Sequence, residues 1–165
     1  MREKINDLVI RSAEPADVAL ILAFVQELAE YERLSHAVTA TEQTLLDSLF
    51  GQHPGAEVLL AFAGDAPAGF AVFVHNFSTF LGKRGLWLED LYVKPKFRGQ
   101  GYGRELLLHV ARVAHQRECG RFEWAVLDWN APAIKFYKSL GAQPLDDWTI
   151  FRVTGESLAR LAAIR

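Results

Sequence analysis

The sequence predicts a mixed α/β fold, a mainly antiparallel central sheet flanked by helices, in the order β, α, α, three β, α, β, α, β. Three observations predict it. Apolar runs at 58–63, 69–76 and 86–93 are separated by tight glycine-containing turns, the pattern of an antiparallel meander. Segments of helical apolar spacing lie before and after that meander. A glycine-rich turn, Gly99, Gly101 and Gly103, joins the last meander strand to a helix.

The elements follow from local chemistry. Leu8 to Arg11 reads as a short strand. Glu14-Pro15-Ala16-Asp17 opens a helix, with proline and acids in the first turn where a helix accepts them. Val18, Ile21, Leu22, Val25, Leu28 and Ala29 give it one apolar face, and it fades near Tyr31-Glu32-Arg33. Thr41 caps a second helix bearing Leu45, Leu46 and Leu49. Thr44 stands where a capping box has Glu or Gln, so only the first half of the box is expected. Gly51 to Gly55, with Pro54, break that helix.

Val58 to Ala63 is the first meander strand, and Gly64-Asp65-Ala66-Pro67 the turn after it. Gly69 to Asn76 is the second, and Gly82-Lys83-Arg84-Gly85 turns into Leu86 to Val93. Pro95 ends that run, because proline cannot donate to a ladder. A helix runs from Tyr102 to about Glu118, with Leu106, Leu107, Val110, Val113 and Ala114 on one face. Arg121 to Leu127 is the next strand. Asn130 caps a helix over Ala131 to Leu140, which Gly141 ends in the left-handed region. Thr149 to Val153 is expected as a last strand, and Ser157 to Ala163 as a terminal helical turn or two.

Composition narrows the class. Half of the 165 residues are apolar, enough for a sizeable core and too many for a disordered chain. A net charge of −2 gives no reason to expect nucleic acid or an acidic membrane as a partner. Cys119 is the one cysteine, so no intrachain disulfide forms and a reducing, cytoplasmic setting is expected. The N-terminal MREKINDLVIR is too polar for a signal peptide. No run reaches the roughly 18 to 20 apolar residues of a membrane span. A single domain over 1–165 is the expectation. No His, Cys and acid cluster has metal-ligand spacing, so no metal is expected.

The stretch LEDLYVKPKFRGQGYG, residues 88–103, concentrates the chemistry. Glycines at 99, 101 and 103 strip side chains from the backbone just before a helix whose N-terminus has unsatisfied donors and a positive dipole end. That suits an anion, a phosphate best. The spacing is not the GxGxxG of a dinucleotide fold, and Gly103-Arg104-Glu105 lacks the GK[ST] of a phosphate loop. A glycine-rich turn with no ligand is the plain alternative. Glu89 and Asp90 are adjacent in a strand, so they are expected on opposite faces. Two acids within an apolar strand are costly unless paired or solvated.

RGQGYG has the form Arg/Gln-x-x-Gly-x-Gly/Ala and resembles the pyrophosphate loop of the GNAT superfamily of N-acetyltransferases. ELAEYERL, FGQHP, GFAVF, LEDLYV, FRGQGYG, AVLDWN and FYKSLGAQ resemble the branch of diamine (spermidine/spermine) and thialysine acetyltransferases, over nearly the whole chain. AVLDWN and LYVKPKFRGQG lean to the thialysine side.

The resemblance implies the acyl-coenzyme A acyltransferase fold, acetyl-coenzyme A as co-substrate, a small cationic amine as acceptor and a homodimer. It places the pyrophosphate at Arg98, Gly99, Gln100, Gly101, Tyr102, Gly103 and Arg104. Arg98 and Arg104 are equally readable as surface arginines. Backbone N–H groups of Leu91, Tyr92 and Val93 would polarise the thioester. Asn130 and Ala133, at the start of their helix, would lie beside the pantetheine and adenosine arm, with Glu123 to Ala125 pairing through backbone. Glu89 is the substrate-side carboxylate, relaying a proton from an amine whose pKa is about 10, and Asp90 is left as a structural or interface acid. Tyr137 is the general acid, although its spacing from Ile134 and Leu140 also suits a core tyrosine.

Tyr31 and Glu32 match a substrate-binding aromatic–acid pair, suited to an ammonium by charge and cation–π attraction. Trp148 matches a tryptophan near the substrate. The segment PLDDW is shorter than the family's, which leaves an acid there to Asp146 or Asp147. Trp129, Asp128 and His75 carry no role beyond packing or surface. A protein or peptide amine acceptor, a non-catalytic acetyl-coenzyme A sensor and a nucleotide-binding protein stay open as alternatives.

Overall fold

The computed structural model describes residues 7–164. The chain divides into two compact units, Met1–Ala125 and Val126–Arg165.

The first unit is built on a five-stranded sheet in sequential order. Its strands are β1 (Leu8–Ser12), β2 (Glu57–Ala63), β3 (Ala66–Ser78), β4 (Lys83–Val93) and β5 (Phe122–Trp124). The first four pair antiparallel, as the tight turns predict, and β5 joins β4 in parallel. Its helices are α1 (Val18–Tyr31), α2 (Glu42–Phe50) and α3 (Tyr102–Gln116).

Alternation along the strands sorts the core into two halves. On one face Ile21 and Phe24 of α1 meet Val58 and Leu60 of β2, Phe70 and Val72 of β3, and Tyr92 of β4. The Phe24 and Phe70 rings stack at 5.2 Å. The other face is covered by α3, which buries Leu106, Leu107, Val110 and Ala114. There Arg117, at the C-cap of α3, donates to Glu57 of β2 at 2.5 and 2.8 Å and reaches His75 Nε2 of β3 at 3.0 Å. His75 Nδ1 lies 3.1 Å from the Gly85 carbonyl oxygen. His75 therefore ties three elements together, a role its sequence context did not reveal.

Several local expectations change. The α2 capping box is complete: Thr44 N–H donates to Thr41 Oγ1, and Thr41 N–H donates to Thr44 Oγ1 at 2.9 Å. A threonine hydroxyl oxygen does the work of the usual carboxylate. The β3–β4 turn lies at 79–82, earlier than Gly82 to Gly85. Gly82 adopts the left-handed region at φ +61°. Gly85 is inside the strand, where a Cβ would stand 2.2 Å from Asn76 Oδ1. Its glycine answers close packing, not turning.

The strand expected over Arg121 to Leu127 shrinks to Phe122–Trp124, because among the described residues its ladder partners are Leu86, Trp87 and Leu88. Beyond Leu88, β4 changes register.

The second unit holds α4 (Ala131–Ser139) and α5 (Gly155–Ala162). Asn130 caps α4, accepting from Ala133 N–H at 3.3 Å. Gly141 follows at φ +90°, as a helix stop requires. The strand expected over Thr149 to Val153 does not form: those residues have no strand assignment, and Phe151 is 89% exposed. Alternating apolar residues favour a strand only where an edge supplies the ladder, and the described residues of this unit contain no strand.

Phe24→Ala is expected to cost about 3–5 kcal/mol, since Phe24 is fully buried between both ring contacts of the α1 face. Urea unfolding of the purified variant measures it.

Candidate active site

The register of β4 decides where its chemistry points. Phe73 pairs with Leu88 and Val72 with Asp90, so Glu89 is an extra residue, a β-bulge. The bulge reverses the parity of the strand. Leu86 and Leu88, then Leu91 and Val93, share the α3 face through partners His75, Phe73, Ala71 and Gly69. Trp87 shares the α1 face with Val74, and Asp90 and Tyr92 share it with Val72 and Phe70. The Trp87 indole N–H donates to Glu89 Oε2 at 2.9 Å, which holds the Glu89 carboxylate on that face as well. Glu89 and Asp90 therefore do not point to opposite faces, because strict alternation fails at a bulge.

The result is a group of acids. Burial, then the charges of Glu89 and Glu32, push the Asp90 carboxyl up to about 6. Burial also raises Glu32, at the C-cap of α1. Glu27, one turn earlier on α1, is already engaged. It accepts from Lys94 Nζ at 2.6 Å and from Tyr92 OH at 3.1 Å.

The backbone of β4 supplies a second feature. Lys94 N–H donates to the Ala68 carbonyl of the β3 segment at 2.9 Å. Donors alternate sides along a strand, so Tyr92 N–H also points into β3, while Leu91 and Val93 N–H point to the other edge. β5 pairs with that edge only as far as Leu88. Past the bulge, Leu91 and Val93 thus present their donors where no strand ladder claims them among the described residues.

The glycine loop continues from there. Gly99 has φ +74° and Gly101, the N-cap of α3, has φ +92°. Side chains other than glycine rarely accept either conformation. A Cβ on Gly99 would project into open space, and one on Gly103 would make only ordinary contact with Val93. Gly103 is therefore not required by the packing of the chain itself. Tyr102 is buried in the first turn of α3, its ring 5.5 Å from that of Phe97. Gln100 Nε2 donates to the Lys96 carbonyl at 2.9 Å, and Arg104 pairs with Glu105 at 3.2 Å.

Arg98 takes a direction of its own. Its Nε donates to the Val93 carbonyl at 2.9 Å. The guanidinium lies over the Tyr31 ring at 4.6 Å and the Tyr92 ring at 5.5 Å. The first unit thus brings Tyr31, Glu32, Glu89 and Asp90 to the α1 face, with the glycine loop after the end of the same strand.

The second unit carries the remaining candidates. Asn130 is buried at the start of α4, next to Ala133, and Tyr137 sits one turn on, its ring 5.2 Å from Phe136. Trp148 is 77% exposed, at the end of a turn in which its N–H donates to the Leu145 carbonyl at 3.3 Å.

The acid group has a pH signature. Asp90 rises from its ordinary 3.8 to about 6, so the folded protein binds this proton more readily than the unfolded chain. Its contribution to stability is then lost as pH rises through that window. Asp90→Asn is expected to raise Tm near pH 8 by roughly 2–8 °C, with the gain shrinking toward zero near pH 4. Thermal unfolding of both proteins across pH checks it.

Known proteins resemble this chain in sequence and in fold. The profile of the acetyltransferase (GNAT) family matches residues 22–142. The chain is 40% identical over 166 aligned positions to the thialysine N-epsilon-acetyltransferase of Sus scrofa, covering 94% of this chain and 97% of the relative. It is 31% identical to the L-ornithine N5-acetyltransferase of Arabidopsis thaliana, with 90% and 85% covered. An integron cassette protein from the mobile metagenome of V. cholerae superposes with a TM-score of 0.80 at 29% identity, over 96% of this chain and 99% of that one. A family match across most of the chain, relatives aligned nearly end to end and a β4–loop–α3 core of the kind described place the chain in the acetyltransferase (GNAT) family.

Proposed function

We propose that this protein is an acetyl-coenzyme A-dependent N-acetyltransferase acting on the primary amine of a small cationic substrate, a thialysine-like amino acid or a di- or polyamine. The observation that carries it is the bulge at Glu89. It puts acids on one face of β4 and frees backbone donors on one edge of the same few residues. The thialysine and ornithine acceptors in the names of two relatives, at 40% and 31% identity, support a small amine. The family profile runs across both units, which supports reading residues 1–165 as one catalytic domain. A homodimer and a cytoplasmic location complete the proposal. Among the described residues no helix is long and apolar enough to cross a membrane, and no His, Cys and acid group could hold a metal.

The loop fits the co-substrate's phosphates. Gly99 opens onto free space in a left-handed conformation, and α3 starts directly behind Gly101. Residues Gly99 to Arg104 would hold the pyrophosphate through backbone donors at a helix start. Asn130 and Ala133 would line the rest of the arm. When bound, acetyl-coenzyme A supplies a thioester, an activated acyl group with a thiolate to leave.

The chain's own groups then divide the work. Leu91 and Val93 N–H are the polarising donors for the thioester oxygen, since Tyr92 N–H faces β3. Glu32, Asp90 and Glu89 attract the ammonium. A Glu89 carboxylate oxygen, oriented by the Trp87 indole, takes the amine proton through water. The Tyr137 hydroxyl gives a proton to the departing sulfur. Trp148 supplies an aromatic surface for the acceptor.

Incubation with acetyl-coenzyme A and a panel of thialysine, lysine, ornithine, spermidine and peptide amines, followed by release of free thiol, tests the reading as kcat/KM. Coenzyme A binding without turnover of any amine would replace it with a sensor. Tyr137→Phe and Glu89→Gln are each expected to lower kcat by about 10²–10⁴. A Tyr137→Phe enzyme with unchanged kcat across pH would remove the tyrosine from this role.

A further inference from the structure

We propose that Arg98 is a positioning residue for the acceptor side, holding Tyr31 and Glu32 at the end of α1, and not a ligand of the pyrophosphate. This rests on the proposal above that Glu32, Asp90 and Glu89 receive the amine.

Arg98 is the residue before Gly99, so its backbone belongs to the phosphate loop. Its side chain does not follow that loop. Nε is committed to the Val93 carbonyl at 2.9 Å. That carbonyl lies on the edge of β4 away from β3, because a strand residue's N–H and C=O share a side. With Nε fixed there, the guanidinium lies over Tyr31 at 4.6 Å and Tyr92 at 5.5 Å. A guanidinium offers two rings a broad, delocalised planar cation while its Nε stays bonded elsewhere, which a lysine ammonium cannot do.

The held segment is a helix end. Tyr31 is the last residue of α1 and Glu32 its C-cap. Arg33 then takes φ +62°, a left-handed conformation uncommon outside glycine. The chain turns back through Leu34 N–H, which donates to the Ala29 carbonyl at 2.7 Å. An end that terminates on a left-handed arginine gains definition from a side contact. Arg98 provides one at the residue before the acid.

Charge gives the second argument. Glu32, Glu89 and Asp90 lie close enough for the first two to raise the third. A mobile arginine nearby would fold into that group and cancel the charge that attracts an ammonium. The contacts of Arg98 among the described residues are a carbonyl, two rings and the Tyr92 hydroxyl, with no carboxylate. These contacts hold the cation on the rings and the carbonyl and leave the acids without it. It also occupies a face of the Tyr31 ring, so that face serves the arginine instead of the substrate.

The test separates acceptor from cofactor. Arg98→Met, Arg98→Lys, Tyr31→Leu and the Arg98→Met/Tyr31→Leu double variant are compared with wild type. The readouts are thialysine KM and kcat at saturating acetyl-coenzyme A, and coenzyme A Kd by calorimetry. Arg98→Met is expected to raise the thialysine KM about tenfold, while coenzyme A Kd stays within threefold, which also reports a folded loop. Arg98→Lys should resemble Arg98→Met, because charge without the plane does not restore the stack. The double variant should be no worse than the poorer single one. A tenfold weaker coenzyme A Kd in Arg98→Met with an unchanged thialysine KM would overturn the proposal and make Arg98 a phosphate ligand. Glu32→Gln serves as the control on the parent reading. If its thialysine KM is unchanged, or wild type does not turn over, the acceptor assignment falls and this proposal with it. A raised KM in Glu32→Gln beside an unchanged one in Arg98→Met overturns the Arg98 role alone.

Discussion

One extra residue in β4 sets the chemistry of the first unit. Sheet pairing forces side chains to alternate, and a bulge is the means by which a strand can change faces without breaking. At Glu89 the change lets Leu86, Leu88, Leu91 and Val93 all pack toward α3, while Trp87, Asp90 and Tyr92 turn toward α1. The parallel ladder to β5 ends at Leu88, the last residue before the bulge. Backbone donors that a longer β5 would consume are thereby left at the edge. Side-chain acids and main-chain donors thus arise from the same local distortion.

The α1 face shows how the protein tolerates charge beside a core. Around Tyr92 the ring layer is buried, with Phe24 stacked on Phe70 and edge-on to Tyr92. Above it Glu27 is satisfied by Lys94 and by the Tyr92 hydroxyl. Further along, Glu32 and Asp90 are both pushed upward, with burial as the leading cause. Burying a carboxylate without a cation costs stability. In the proposed acceptor role that cost would be offset on binding, since an ammonium substrate would supply the missing charge. Arg98 sits next to this group with its guanidinium directed onto aromatic rings.

Much of the local structure could be read from residue types. Proline and acid, which form a 3-10 turn over Pro15–Asp17 leading into α1 and not the first turn of α1 itself, threonine before α2, asparagine before α4 and glycine after it act within a turn of themselves. Their partners are their own sequence neighbours, so no tertiary information is needed. The bulge had a signal that plain alternation overlooks. The aliphatic residues run at 86, 88, 91 and 93, a spacing of two, three and two. A strand keeping them on one face must insert a residue between 88 and 91. Gly85 has the sequence context of a turn glycine, because a close neighbour from another strand cannot be seen in sequence.

By itself the sequence determined the antiparallel meander, the existence and order of the helices, the glycine loop and the family resemblance. These rest on periodicity, capping and motif spacing, all of them short-range. Tertiary structure decided which face each acid occupies, which N–H groups leave the ladder, how short β5 is, and that Thr149 to Val153 forms no strand. It also decided that Arg98 turns to Tyr31. Each of these depends on a partner distant in the chain: a register, an edge or an aromatic face. A residue's type states what contact it can make, and only the fold states which contact is within reach.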